Sequence, residues 1–199
     1  MTDEPTDDIF VDGLSVRDIE EKALAWREAF EESLSWSPDL LRILEHKLPR
    51  LYPDFALVVR PTSSMINVEA YTQFAPPQIV ISDRVYEEAA SLVPRARWTL
   101  AHELGHFVLH EAISKPRAVN PIRKSIIKHA YNSAEWQANK FAAHFLMPEH
   151  IASQFQAPEE LAQNCNVSLT AARKRFNEMR REPIKRLPNA VEEFLRPRT

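Results

Sequence analysis

His102-Glu103-Leu104-Gly105-His106 puts two imidazoles and a carboxylate within five positions. A helix turns about 100° per residue, so His102 and His106 would project from one face, a turn apart. Two imidazole nitrogens there can reach one metal, and Glu103, beside the first, can face that metal's water as a base. Zinc suits such ligands; in catalytic sites it takes three protein ligands plus water. The neighbours Trp98, Leu100, Ala101, Leu104, Phe107 and Val108 predict a largely buried helix, where charged groups are rare unless paired or metal-bound. Gly105 costs such a helix roughly 1 kcal/mol against alanine, which points to a close backbone approach. The competing interpretation is two half-exposed histidines paired with Glu103.

A third ligand is required. Glu135 opens the run Glu135-Trp136-Gln137-Ala138-Asn139, which follows two good helix caps, Asn132 and Ser133. In a first turn its carboxylate is favoured by the helix dipole and stays ionised for a cation. Asn139 falls one turn later on the same face and can orient a ligand histidine. An ordinary first-turn glutamate without a metal fits the spacing equally well. His110 continues the 102/106 face, but about 12 Å of rise separates it from His102. It is expected to end the helix or pack in the core. His129, Tyr131, His144, Tyr71 and Tyr86 are candidates to stabilise an oxyanion, and the sequence does not choose among them.

These side chains need a scaffold, and the chain has the means to build one. Its 199 residues are 44% hydrophobic and 27% charged, with a net charge of −3, which is ordinary globular usage. No apolar run approaches the roughly 20 residues that cross a bilayer. There is no basic-then-apolar leader, and the single cysteine, Cys165, excludes an internal disulfide and a thiolate zinc cluster. A reducing cytoplasm is the expected location. Gly13 and Gly105 are the only glycines, which excludes Gly-rich phosphate loops.

Residues 1–14 read as an acidic flexible tail. A helix is expected from Ser15, with Ile19, Ala23, Trp26, Phe30 and Leu34 on its apolar face. A second would have Ser37 as cap, Pro38 in its first turn, Leu40, Leu41, Leu44 and Leu48 inward, and Pro49 and Pro53 as its end. Phe55–Arg60, Met65–Tyr71 and Gln78–Ser82 predict three strands. A helix capped by Asp83 follows, then one from near Arg95 to about Glu111. A polar connection from Ser114 to Asn132 leads to a helix over Ser133–Leu146. The remainder is helical to about Arg181, with Ser168 capping a second arm of a helix-turn-helix outline.

With the elements in place, two stretches become recognisable. Trp98-Thr99-Leu100-Ala101-His102-Glu103-Leu104-Gly105-His106-Phe107-Val108-Leu109-His110 resembles the RFTLAHELGHLLLH signature of the ImmA/IrrE metallopeptidases. The run from Glu135 through Asn139 to Met147-Pro148 resembles that family's ExxANxFAxxLLMP signature. Trp98 at an aromatic position and His144-Phe145 before Leu146 are slight departures that leave the ligands untouched. The likeness spans about residues 55–180; residues 1–50 match no signature. It implies that His102, His106 and Glu135 hold zinc (manganese being a possible activating metal) and that Glu103 is the catalytic acid/base. It also implies a protein substrate, characteristically a helix-turn-helix repressor whose cleavage switches on mobile-element or stress-response genes.

The expected fold is α+β: a mainly helical zincin-like peptidase core, a small three-stranded antiparallel or mixed sheet and a C-terminal helix-turn-helix-like hairpin. The expected divisions are 15–155 for the peptidase domain (15–50 being helices of open role), 156–182 for the hairpin and 183–199 for a tail. An extended substrate is expected along Met65–Tyr71 or Gln78–Ser82 by strand addition. Two other functions stay open. One is a regulator that binds a repressor partner on this scaffold without cutting it. The other is a DNA-binding regulator acting through 158–181, where Arg173, Lys174 and Arg175 give a basic helix. For that segment, packing on the peptidase core and docking of a peptide substrate are the alternatives. The charge asymmetry, 11 acidic against 3 basic groups in 1–32 and 9 basic against 4 acidic in 166–199, is explained by solvated faces or by a nucleic-acid-binding tail.

Overall fold

A computed structural model describes residues 11–110 and 132–181. The expected tail at 183–199, most of the 114–132 connection, and residues 1–10 lie outside these. The acidic start is more than a tail where it is described. Val11 is buried, its N–H donates to the Asn132 carbonyl (2.9 Å), and its own carbonyl accepts from Asn132 Nδ2 (3.2 Å).

Helix α1 (Val16–Ala29) starts at a capping box in which Ser15 and Asp18 satisfy each other's backbone N–H groups. It stops before the expected Leu34, which is 85% exposed. The reason is tertiary. Glu31 adopts a left-handed conformation (φ 57°), and the buried Arg27 guanidinium gathers the carbonyls of Glu32, Ser35 and, on another helix, Phe145. Those bonds satisfy a charge that burial would otherwise penalise, and they hold the chain in a turn.

The second helical stretch is capped by Asp39 rather than Ser37, with Asp39 Oδ1 accepting from Arg42 N (3.0 Å). It runs as α2 (Leu40–Arg42), a π-turn (Ile43–Lys47) and α3 (Leu48–Leu51), and so passes through Pro49 instead of ending there. A proline ring presses on the carbonyl four residues back, and widening the preceding turn relieves this.

The sheet is mixed, in the order β1-β3-β2. Strand β1 (Ala56–Arg60) lies parallel to β3 (Pro77–Ser82), and β2 (Ala70–Phe74) lies antiparallel to it. The second strand therefore falls later than the expected Met65–Tyr71. Asn67 turns left-handed (φ 59°) and breaks the extended path, while Phe74 pairs with Pro77 across a tight connection. Strand β3, expected as a possible edge, is central and buried at Ile79, Val80 and Ile81.

Ser82, not Asp83, caps α4 (Asp83–Ala90) by accepting from Val85 N, while Asp83 reaches back to the N–H of Thr62. Helix α5 (Pro94–His110) then crosses the core beside α6 (Ala134–Leu146), which Ser133 caps. A Cβ at Gly105 would stand 3.2 Å from both Cα and O of Ala138, so the missing side chain is what lets α5 and α6 meet. Short α7 (Glu149–Ala152) leads to α8 (Pro158–Cys165) and α9 (Leu169–Arg181), the latter capped by Ser168. Asn166 makes their turn in the left-handed region, and its carbonyl accepts from the buried Arg97 of α5. Leu161, Cys165, Val167 and Ala172 join the main core, so this hairpin packs on the rest of the molecule. The described residues are mainly helical with one small mixed sheet. Among the described residues, no helix is long and apolar enough to cross a membrane.

Candidate metal centre

Helix α5 brings His102 and His106 to one face, and α6 delivers Glu135 from its first turn to the same point. The two Nε2 atoms are 3.0 Å apart; Glu135 Oε2 lies 3.3 Å from that of His102, and Oε1 lies 3.0 Å from that of His106. The three residues form a group able to hold a metal ion, all donor atoms within 4.8 Å of one another. Donors about 2.0–2.1 Å from a tetrahedral zinc lie roughly 3.3 Å from each other, so two nitrogens and a carboxylate at these separations fit that ion. The Glu135 side chain is about half exposed and those of the histidines 16% exposed, leaving one open side.

The electrostatics agree with an ionised carboxylate facing two rings. Hydrogen bonds from His102 and His106 hold the Glu135 carboxyl well below the usual range, against an opposing effect of burial. Burial alone would lower the His102 pKa. The bond to Glu135, the charges of Glu103 and Glu135 and a bond with Asn139 outweigh it, and the value is raised. Asn139 thus stands next to His102. It also receives a long bond from the Trp98 indole (3.4 Å) and donates to the Glu135 carbonyl (2.9 Å).

Glu103 is 7% exposed and projects toward β2. The Thr72 hydroxyl lies 2.7 Å from its Oε2 and 3.0 Å from its carbonyl oxygen. Thr72 was not singled out in the sequence, because a strand threonine carries no motif; only the sheet packing reveals it. His110 was expected at the helix end or in the core, and it is buried. It lies on α5, 4% exposed, with burial pushing its pKa down to about 4. Its ring also touches His106 (Nδ1 to Nδ1, 3.2 Å) and Gln137 (Nε2 to Oε1, 3.1 Å), contacts the spacing did not suggest.

The oxyanion candidates fare less well. Tyr86 is bonded to Glu45, and His144 sits within ion-pair distance of Glu20. Tyr71 precedes Thr72 on β2 and so faces the other side of the sheet. His129 and Tyr131 lie outside the described residues. Of the basic residues on α9, Arg175 is turned inward to the Met147 carbonyl (3.0 Å) and Arg173 is held by Glu159 (3.0 Å). A cleft of about 710 Å³ opens beside the cluster, with Trp98, Trp136, Asn139 and Lys174 among its walls.

The IrrE N-terminal-like domain model of the M78 peptidases matches residues 55–177, a span that contains every member of the cluster and Thr72. No curated protein matches the sequence. Among solved structures, a Mycobacterium tuberculosis transcriptional regulator superposes with a TM-score of 0.51 at 14% identity. The match covers 80% of this chain and 46% of that one, so this chain spans about half of the regulator's length.

Proposed function

This chain belongs to the IrrE N-terminal-like family of M78 peptidases, and from that premise we propose that it is a zinc-dependent endopeptidase. His102, His106 and Glu135 would hold the ion; Asn139 would orient His102. When bound, zinc supplies the Lewis acidity that makes water nucleophilic near neutral pH and polarises the scissile carbonyl. Glu103 takes the proton from the attacking water and returns it to the leaving amine. Thr72 keeps that carboxylate on the β2 side of the site. Strand β2 ends the sheet, so an extended peptide added along its outer edge runs past Thr72 and Glu103. The observation that carries the reading is the meeting of three donor atoms beside a buried carboxylate.

The substrate class we infer is a helix-turn-helix repressor, whose cleavage would derepress the genes it controls. The family supports a protein substrate, and the solved relative described as a transcriptional regulator fits a setting in gene control. Arg175 is turned inward, which removes one of the basic groups that a DNA-reading α9 would present.

The test incubates the purified protein, with zinc or manganese, with candidate helix-turn-helix repressors. One clipped product is expected. Glu103→Gln should retain its metal and cut about 10²–10⁴-fold more slowly. Undiminished cleavage by that variant contradicts the mechanism. If it instead releases the repressor from its operator as well as the parent does, the chain is a binding regulator that does not need to cut.

A further inference from the structure

The cleft of about 710 Å³ beside the metal cluster is shared by α5, α6 and the C-terminal hairpin. Helix α5 gives it Trp98, one turn before His102, and α6 gives it Trp136, next to Glu135. Asn139 links these walls at the cluster, accepting from the Trp98 indole and donating to the Glu135 carbonyl. A further wall is α9, through Thr170 and Lys174. That wall is fixed in place. Lys140 of α6 pairs with Glu178 of α9 (2.7 Å), and the buried Arg175 donates to the Met147 carbonyl (3.0 Å). The volume falls within the roughly 300–1,000 Å³ of ligand pockets, and two indoles give it an apolar lining.

The charges around the cleft do not cancel. Lys140 is matched by Glu178 and Arg175 by Glu20, whereas Glu69 is a single carboxylate shared by Arg84 and Arg95. Lys174 is exposed and has no ion-pair partner among the described residues. Two indoles therefore stand beside surplus positive charge. The cleft is also continuous with the peptide path along β2. Glu69, in its lining, precedes that strand and lies three residues before Thr72, roughly 10 Å in extended chain. A peptide on the outer edge of β2 thus reaches the cleft within about three residues of the point beside Glu103.

We propose that this cleft is a specificity subsite for an extended substrate, taking a large apolar side chain against Trp98 and Trp136 and a nearby acidic side chain toward Lys174 and Arg95. The inference rests on the peptidase reading above and adds what that site selects. It gives the hairpin a role, since α9 becomes a wall of the substrate site. Burial against the indoles supplies affinity, and the charges discriminate between peptides.

The experiment uses the full-length protein and two readouts. In the first, a random peptide display library is selected on Glu103→Gln, and the retained sequences are read. Peptides that pair a large apolar residue with Asp or Glu are expected. Adding Lys174→Glu, at an exposed position, should reduce the acidic preference about 3–10-fold and favour Lys or Arg instead. Adding Thr170→Trp, also at an exposed position, should narrow the cleft and lower recovery of the large apolar residue. No enrichment, or an enrichment that Lys174→Glu leaves unchanged, overturns the proposal. Binding of a DNA duplex that Lys174→Glu abolishes, with no peptide selected, overturns it too and makes this a phosphate-binding face. In the second readout, the zinc-loaded parent cuts peptides from a whole-proteome digest, and the flanking residues are read by mass spectrometry. The same pair of residues is expected within about three positions of the cut bond. Cutting without that preference overturns the subsite and leaves the peptidase. Selection as expected with no cutting removes the peptidase reading and keeps the cleft as a peptide-binding site.

Discussion

Helix α6 carries a carboxylate or an imidazole into two different clusters, one at each end, and they behave in opposite ways. At its start, Glu135 meets His102 and His106. At its end, His144 meets Glu20, whose Oε1 lies 3.3 Å both from His144 Nδ1 and from Arg175 Nη2. The second cluster closes its own charge: one carboxylate is matched by a guanidinium that also bonds the Met147 carbonyl. The first sets one carboxylate against two imidazoles, with their donor atoms within 4.8 Å of one another. The same residue types at similar distances therefore give an arginine-held tie in one place and a group compatible with a metal ion in the other.

The sharpest way to break that contrast is to delete one anchor from each cluster. Glu135→Ala should cut zinc affinity by on the order of 10³-fold and leave the metal-free fold intact, as seen by chelator competition and circular dichroism. Arg175→Met should do the reverse. It strands Glu20 and a carbonyl, costs about 2–3 kcal/mol in denaturant unfolding, and leaves zinc affinity unchanged. Gly105→Ala should affect both properties. Ala138 backbone atoms cannot yield as a flexible side chain would, so α5 and α6 must part, at about 1–3 kcal/mol and with weaker zinc binding.

A smaller effect separates the clusters by pH. Burial pushes His144 below the ordinary histidine value, with contact to Glu20 opposing it only in part. From about pH 6.5 downward the unfolded chain accepts a proton that the folded protein refuses, so this residue's contribution declines as pH falls. Glu20, held low by its contact with His144, loses its own contribution only below the ordinary carboxylate range. Unfolding of the zinc-free protein at pH 5 and 7.5 should show lower stability at pH 5, with a reduced difference in His144→Leu; an unreduced difference contradicts this assignment. The mildest change is Thr72→Val. It removes the hydroxyl from Glu103 and should slow cleavage a few-fold with zinc content unchanged, as metal analysis beside a peptide assay would show.

The pairing of His102 with His106 was legible in the sequence because a one-turn spacing is local, whereas Glu135 was only one reading of a capped first turn until the resemblance to the family's second signature singled it out. The mainly helical fold with its three strands was legible for a similar reason, since short β-branched runs stand apart from 3.6-residue periodicity. What escaped was set by contacts between distant segments. Leu34 has a helical spacing, yet Arg27 collects carbonyls from the following turn and stops the helix first. Met65–Tyr71 looks extended, but Asn67 turns it and the pairing with β3 selects residues 70–74. Thr72 carries no motif; it matters through what the fold sets beside it.

The central claim is that one cation is shared by His102, His106 and Glu135. Crystals grown with zinc and measured at the zinc absorption edge test it directly. The account predicts a single anomalous peak within ligand distance of both Nε2 atoms and of a Glu135 oxygen. No peak there, or one held by the histidines with Glu135 turned away, would contradict it.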